Sequence, residues 1–148
     1  MIIAYTDGAC KGNPGRGGWG AYIILSDGID FNLRGMNSNT TNNRMELTAV
    51  IEALKKIADI SKSPKESISL RTDSKYVINV ATKWVSSWEN RGWKTIQGKD
   101  VKNKDLCQHL LSLSRDLDIE WVWVKGHSGE PGNERADYLA NLGAESNV

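Results

Sequence analysis

The chain begins with a short apolar run that leads into an acidic residue. Residues 2–5 are almost entirely apolar, which is typical of a central strand covered on both faces. Asp7 and Gly8 follow where that strand is expected to end. A buried strand is rigid, so an acid at its end is held in a fixed position. The stretch therefore predicts the centre of a sheet with a carboxylate at its edge.

The size and cysteine usage of the chain limit what it can be. A chain of 148 residues fits one domain and can bury a sizeable core, so we expect a single domain over residues 1–148. No apolar run is long enough to span a membrane, and Asp7 interrupts the apolar start too early for a secretory signal. Cys10 and Cys107 have no nearby cysteine partner, which argues against a disulfide framework and a zinc cluster. We expect a cytoplasmic monomer with no obligate protein partner.

The segments after the first strand predict an antiparallel meander. Residues 10–20 are glycine-rich but lack the GK[ST] ending of a nucleotide-binding loop, so we expect a wide turn whose backbone can approach another group closely. Residues 20–25 and 29–36 have the pattern of strands, and Asp27-Gly28 between them is a strong hairpin signal. A polar loop is expected over residues 37–43.

The rest of the chain alternates between helix and strand. An apolar stripe at helical spacing predicts a helix through residues 47–58. The later elements are expected as a loop at 62–65, strands at 67–72 and 119–124, and helices at 76–88, 103–117 and 133–143. Strand, helix and strand in succession imply a right-handed parallel crossover, which puts the strand at 67–72 beside the first strand. The whole pattern predicts an α/β fold.

Three further acids lie where they could face the sheet. Glu46 flanks the apolar stripe of the first helix and is expected to point towards the sheet. It also has capping-box spacing from Asn43, and both explanations remain open. Asp73 follows a strand and precedes a helix, so taken alone it is better explained as an N-cap. Asp137 lies on the last helix.

Taken together with Asp7, these residues would place four carboxylates on one side of one sheet. Such a cluster is unfavourable unless the acids are protonated or neutralised by cations. Hard divalent ions are the natural counter-charge, and two Mg²⁺ ions about 4 Å apart can activate a water and stabilise a leaving oxygen in phosphodiester cleavage. A purely structural domain would need each acid to be a cap or turn residue by coincidence.

A basic, aromatic segment occupies residues 75–104. Seven basic residues against two acidic ones leave a local charge of +5, and three tryptophans lie among them. A charge cluster is more often a solvated helical face. Basic residues interleaved with aromatics also suit a polyanion.

Five motifs in order along the chain resemble type 1 ribonuclease H in its bacterial form. They are Thr6-Asp7-Gly8-Ala9-Cys10, Thr41-Asn42-Asn43-Arg44-Met45-Glu46, Thr72-Asp73-Ser74-Lys75-Tyr76-Val77, Trp123-Val124-Lys125-Gly126-His127-Ser128-Gly129 and Asn133-Glu134-Arg135-Ala136-Asp137. The resemblance implies a five-stranded mixed sheet with helices on both sides. It also implies hydrolysis of the RNA strand of an RNA–DNA hybrid, leaving 5′-phosphate and 3′-hydroxyl ends.

The resemblance also implies roles for individual residues. The metal-binding catalytic acids would be Asp7, Glu46, Asp73 and Asp137, holding two Mg²⁺ ions that Mn²⁺ may replace. His127, in a glycine-rich loop, would assist proton transfer or product release, a role that suits histidine.

Substrate contacts follow from the same resemblance. A hybrid presents 2′-hydroxyls of its RNA strand in a wide minor groove. The residues expected in or near that groove are Cys10, Gly12, Asn13, Asn42 and Lys75. Thr41, with Arg44, would help to hold a phosphate of the DNA strand, and Trp84 and Asn103 would meet that strand further along. Residues 88–102 match a basic protrusion that grips the hybrid backbone, which gives affinity without sequence preference.

The chain departs from the family pattern at a few positions. Glu89-Asn90 make the protrusion less basic, Cys107 replaces a frequent tryptophan and Lys75 replaces a common glutamine. Integrases and junction resolvases share the acid cluster but not this His127 loop with this protrusion. A non-catalytic hybrid-binding module would be expected to lack one or more of the acids, and all four are present.

Overall fold

The computed structural model describes residues 1–61 and 66–145, and the loop expected at 62–65 lies outside them. One five-stranded sheet and a set of helices form the fold. The strands are β1 Ile2–Gly12, β2 Gly15–Ile24, β3 Asp30–Thr40, β4 Ile68–Thr72 and β5 Ile119–Trp123. The helices are α1 Asn42–Ile60, α2 Lys75–Asn79, α3 Val85–Asn90, α4 Lys104–Ser114 and α5 Pro131–Glu145, with a π-helical turn, Val80–Trp84, joining α2 to α3.

The sheet has mixed topology in the order β3-β2-β1-β4-β5. The first three strands form an antiparallel meander, whereas β1 pairs with β4, and β4 with β5, in parallel. Two expectations are therefore confirmed, namely the antiparallel opening and the placement of the Asp73 strand beside the first. The five-stranded mixed sheet implied by the resemblance is also present.

The first hairpin differs from its expected form. Strand β1 continues through Asp7 as far as Gly12, and β2 begins at Gly15. The prediction that the strand ends at Asp7 and that residues 10–20 form a wide turn is therefore wrong. The turn is tight, Gly12 ends β1, and the other glycines of this segment are part of β2. Glycine has low strand propensity, so this sequence does not look like a strand.

The polar loop expected at 37–43 is also absent. Strand β3 runs on to Thr40, and α1 begins at Asn42 after an N-cap at Thr41, whose hydroxyl accepts from the Arg44 N–H at 3.3 Å. Thr41 thus does the capping for which Asn43 and Glu46 were a candidate pair. Capping therefore does not account for Glu46, which remains available for other chemistry.

The helices pack on both faces of the sheet. Strand neighbours point to opposite faces, and a Cβ at Gly17 would lie 2.9 Å from the Met45 side chain of α1, whereas one at Gly18 would lie 2.2 Å from the Ala144 nitrogen of α5. The main apolar core joins the sheet to α1, α2 and α4, with Leu54 and Leu70 among its fully buried members.

The joined segments from α2 to α3 form one helical run, which ends inside the segment 88–102 that was expected to be a basic protrusion. This helical run spans residues 75–90, close to the expected 76–88, and α4 ends at Ser114, three residues before the expected end. Between them, Lys94 and Asp100 form an isolated bridge with a 2.6 Å ion pair. No helix in the described part of the chain is long and apolar enough to cross a bilayer.

The close approach of α5 to β2 leads to a prediction for Gly20. A Cβ there would lie 2.5 Å from the Ala136 carbonyl oxygen, so we expect Gly20→Ala to push the helix away and to lower the free energy of unfolding by about 2–3 kcal/mol. Urea denaturation measures this loss. Gly28→Asn is the matched control, because Gly28 has a φ of 90° with open space around it and asparagine tolerates that conformation. A Gly20→Ala variant as stable as the control would contradict the steric explanation.

Candidate active site

Three acidic residues from different elements meet at one place. One carboxylate oxygen from each of Asp7, Glu46 and Asp73 lies within 4.8 Å of the others. Asp7 and Glu46 are only 6% and 4% exposed, whereas Asp73 is half-buried. Solvent therefore reaches the cluster from the side of Asp73, whereas Asp7 and Glu46 are enclosed by protein.

Strand register explains why Asp7 and Asp73 are neighbours. The parallel pairing of β1 with β4 ends at Thr6 and Thr72, and the next residue along the chain is an acid in both cases, Asp7 within β1 and Asp73 just after β4. Asp73 does not cap the following helix, because Ser74 does so by accepting from the Val77 N–H at 3.1 Å. The N-cap explanation for Asp73 is therefore wrong, and its carboxylate joins the cluster.

Gly8 allows α1 to bring the third acid. A Cβ at Gly8 would lie 2.5 Å from the Glu46 backbone nitrogen, so any larger residue would force the helix away from the strand. Glu46 lies in the second turn of α1 and faces inward. The short contact at Gly8 thus sets how near the Glu46 carboxylate comes to Asp7.

Asp137 lies beside the cluster but is not within the 4.8 Å group. It is half-buried on α5 and accepts from the Asn141 side-chain amide at 3.3 Å. Burial is the main cause of the raised pKa of Asp7, and a side-chain hydrogen bond with Asp137 adds a smaller increase. The structure thus brings three of the four expected acids together and puts the fourth at their edge.

The electrostatics of the cluster favour a cation. Burial, followed by the charge of Glu46, raises the pKa of Asp7 far above its ordinary range. Burial also raises the pKa of Glu46, although hydrogen bonds from Asp7, the Gly8 N–H and Ser74 oppose the change. Glu46 Oε1 is buried and has no hydrogen-bond partner among the described residues. An all-oxygen set with an unpartnered buried carboxylate oxygen fits a hard divalent cation.

Three polar neighbours of the acids were not predicted as site residues. Asn133, 2% exposed, directs its side-chain amide at Asp73 Oδ2 over 3.5 Å. Trp123 donates its indole N–H to the Asp73 carbonyl at 3.1 Å, and the Ser74 hydroxyl reaches Glu46. The spacing of Asn133 and Asp137 was a usable signal, because residues four apart share one face of a helix.

His127 lies in the loop that connects β5 to α5. It is exposed, and its backbone has a φ of 56°, a conformation that residues other than glycine rarely adopt. The neighbouring Gly126 packs so closely on Asp73 that a Cβ would lie 2.8 Å from Oδ2. The loop therefore carries His127 next to the acid cluster while leaving its ring open to solvent.

Most of the residues expected in the minor groove lie around the first hairpin and the start of α1. Asn13 Oδ1 accepts from the Asn42 N–H at 3.2 Å, which joins the β1–β2 turn to the helix N-terminus. Cys10 Sγ lies 3.4 Å from the Thr40 carbonyl oxygen, and Gly12 is exposed in the same turn. These residues and Thr41 form one surface beside Gly8 and Glu46.

A second surface surrounds Asn103. This residue has a left-handed backbone, and its amide donates to the Tyr76 hydroxyl at 3.0 Å, while Tyr76 packs edge-on against Trp84 with ring centroids 6.0 Å apart. Arg44 donates twice to Asp105, at 2.7 and 3.0 Å, and once to Asn103. In the expected phosphate contact, the Arg44 guanidinium would therefore bind the phosphate and Asp105 at the same time.

The positions that depart from the family pattern have defined surroundings. Lys75 lies 5.1 Å above the Trp123 ring, a cation–π contact that holds the ammonium near Asp73. Glu89 pairs at 2.7 Å with Arg115, the residue that follows α4. Cys107 is fully buried, which raises the pKa of its thiol to about 11.

Burial of Asp7 leads to a prediction about stability. The pKa of Asp7 is raised in the folded state, so the folded protein retains a proton that the unfolded chain loses near pH 4. We expect Asp7→Asn to stabilise the metal-free protein, by an amount that grows from pH 4 to pH 8 and reaches about 1–3 kcal/mol. Urea denaturation with a chelator present measures the difference.

Added Mg²⁺ provides the control for that prediction. A cation bound by the folded protein alone raises its melting temperature, so the wild type should respond to Mg²⁺ and Asp7→Asn should respond much less. Equal stability of the two proteins across the pH range would mean that Asp7 is not a strained buried acid.

Comparison with known proteins identifies the family. The family model for RNase H matches residues 1–145. The ribonuclease H of Francisella philomiragia subsp. philomiragia is 53% identical over 140 residues, which make up 95% of this chain and 88% of that protein. The ribonuclease H of Francisella tularensis subsp. novicida has the same identity and coverage.

Solved structures agree. LC9-RNase H1, a type 1 RNase H with the type 2 active-site motif, superposes with a TM-score of 0.85 at 34% identity and covers 97% of this chain and 71% of its own. LC11-RNase H1, solved in complex with an RNA/DNA hybrid, gives a TM-score of 0.71 at 25% identity, with coverage of 96% and 95%. The chain therefore belongs to the ribonuclease H family of divalent-metal-dependent nucleases.

Proposed function

We propose that the protein cleaves the RNA strand of RNA–DNA hybrids internally by two-metal-ion catalysis, leaving 5′-phosphate and 3′-hydroxyl ends. The observation that carries this proposal is the set of Asp7, Glu46 and Asp73 oxygens within 4.8 Å of one another, with one Glu46 oxygen unpartnered. Mg²⁺ is the natural occupant, because it favours a few carboxylates plus substrate phosphate oxygens, and Mn²⁺ would substitute.

The acids have distinct parts in this proposal. Asp7 and Glu46 are buried and would form the fixed inner side of the site, while the more open Asp73 and Asp137 would complete it from the solvent side. When bound, the ions would activate the attacking water and stabilise charge on the leaving oxygen. Asn133 and Ser74 would keep the carboxylates oriented through their hydrogen bonds.

The exposed surfaces on either side of the acids suit a hybrid. The Asn13–Asn42 surface offers amide groups and a helix N-terminus, which suit 2′-hydroxyls and phosphates. Trp84 and Asn103 would contact the DNA strand, and the lysines of the protrusion would hold backbone phosphates. A related protein, LC11-RNase H1, was solved with a hybrid bound, which supports the assignment of this substrate class.

His127 would act at the exposed side of the site. Its loop is in contact with Asp73 through Gly126, so the imidazole would reach a phosphate or product that is bound at the acids. It would then carry a proton or assist the product to leave. The proposal includes a single-domain monomer that works in the cytoplasm without a protein partner.

Cleavage of matched substrates tests the function. An RNA–DNA hybrid, duplex RNA, duplex DNA and single-stranded RNA, each labelled on one strand, are incubated with and without Mg²⁺. We expect metal-dependent cutting of the RNA strand of the hybrid alone. Cutting of DNA would move the protein to another branch of the fold, and binding without cutting would make it a recognition module.

Asp7→Asn should keep hybrid binding and lose cleavage, by at least about a thousandfold, because one inner metal-binding carboxylate is removed. Binding is followed by a mobility shift in the presence of Mg²⁺, and cleavage by the labelled assay. Clear residual cleavage would argue against two-metal chemistry at this site.

His127→Ala should slow turnover by about tenfold to a hundredfold without abolishing it, because the acids remain. Initial rates across neutral pH measure the effect. His109→Ala is the matched control, since His109 is exposed on α4 and has no proposed role. An unchanged His127→Ala rate would remove the proton-transfer and product-release role.

A further inference from the structure

A hydrogen-bonded network lies one layer below the acids on the same face of the sheet. The Tyr5 hydroxyl donates to Glu130 Oε1 at 2.7 Å, and Arg71 Nη1 donates to the Tyr5 oxygen at 3.0 Å. Arg71 and Glu130 are also 4.0 Å apart as an ion pair. Tyr5 and Arg71 are register partners in β1 and β4, and each lies two residues before an acid of the cluster.

Packing holds this network in one arrangement. Tyr5 is 6% exposed, and its ring fills the space over Gly132, where a Cβ would lie 2.1 Å from the ring. The Arg71 guanidinium lies 5.6 Å from the Tyr5 ring centroid, and its Nε donates to the Ser69 hydroxyl at 3.1 Å. These contacts hold the Tyr5 hydroxyl in place independently of its hydrogen bond to Glu130.

Glu130 connects this network to the His127 loop. The loop leaves β5 where the Val124 N–H donates to the Thr72 carbonyl at 2.9 Å, and it enters α5 at Glu130, whose carbonyl accepts from the Glu134 N–H at 3.0 Å. Between these points His127 and Gly129 both have positive φ. The side chain of Glu130 is therefore the anchor at the second end of the loop.

Helix α5 itself does not depend on this anchor. Further along, its backbone packs directly on Gly18 and Gly20 of β2, at distances that leave no room for a Cβ. Asn133 also contacts Asp73. Loss of the Glu130 side-chain contacts should therefore release the loop more than the helix, and it should affect His127 more than Asp137.

We propose that Tyr5, Arg71 and Glu130 form a positioning network that fixes the His127 loop relative to the strands carrying Asp7 and Asp73. Glu130 is the positioning residue through which the network acts on turnover. This inference rests on the proposed function, because it requires His127 to take part in the reaction.

Three variants test the network by initial rates on the labelled hybrid. Glu130→Ala should lower kcat about tenfold and leave KM within about twofold, because the metal-binding acids and hybrid-binding surfaces are unchanged. Glu130→Gln should keep most of kcat, because its amide oxygen still accepts from the Tyr5 hydroxyl. Glu134→Ala is the matched control, since Glu134 is an exposed acid in the first turn of the same helix. A change in kcat no larger than that of the control would overturn the proposal.

A double variant separates positioning from general destabilisation. In a His127→Ala background the Glu130→Ala change should alter kcat less than about twofold, because its effect passes through a ring that is no longer there. An undiminished tenfold loss in that background would overturn the role of the network in placing His127. Failure of the proposed function is distinct from either result, because the unmodified protein would then leave the hybrid uncut.

Discussion

Parallel pairing between β1 and β4 is the interaction on which the acid cluster depends. The ladder aligns Thr6 with Thr72, and the residue that follows each of them in the chain is an aspartate. Neither acid would have a fixed neighbour without that register, because β4 is a short strand reached only after a long helix. The rest of the site is added to this pair, with Glu46 from α1 on one side and Asp137 from α5 on the other.

Two glycine contacts allow helices to approach this pair of acids closely. Gly8 lets α1 approach β1, and Gly20 lets α5 approach β2. The two helices lie on opposite faces of the sheet, yet both carry an acid towards the same end of β1. This close approach buries carboxylates that repel one another, and burial raises the pKa of Asp7 and of Glu46. A bound cation would neutralise these charges. The crowding of the carboxylates would therefore both attract a metal ion and destabilise the metal-free protein.

The sequence carried enough information for the sheet centre, the helix order and the meeting of Asp7, Glu46 and Asp73. Apolar runs marked the buried strands, and the crossover rule put Asp73 beside the first strand. The extents of β1, β2 and β3 were missed, because glycine and asparagine have weak strand propensity and the pairing of β1 with β2 is a tertiary effect.

The residues that cap the helix N-termini were difficult to predict from the sequence. Asn43 and Asp73 were both credible cap residues, but Thr41 and Ser74, each nearby, take the role. Which of two neighbouring residues becomes the N-cap depends on backbone angles that a single sequence does not reveal. Long-range partners were equally hidden: the engagement of Arg44 by Asp105, and that of Tyr5 by Glu130, join residues far apart in the chain.

The π-helical turn at Val80–Trp84 changes how the second helical run must be read. A π turn holds one more residue than an α turn, so the side chains after it are rotated by roughly 100° relative to an uninterrupted α-helix. A helical wheel that starts at Lys75 therefore assigns Trp88 and its neighbours to the wrong side. The extra residue is an angular offset between the two halves of the run. Val77, before the turn, is buried in the core, and Trp88, after it, makes tilted ring contacts with Trp84 and with Trp93 beyond the helix, at centroid distances of 5.8 and 6.1 Å.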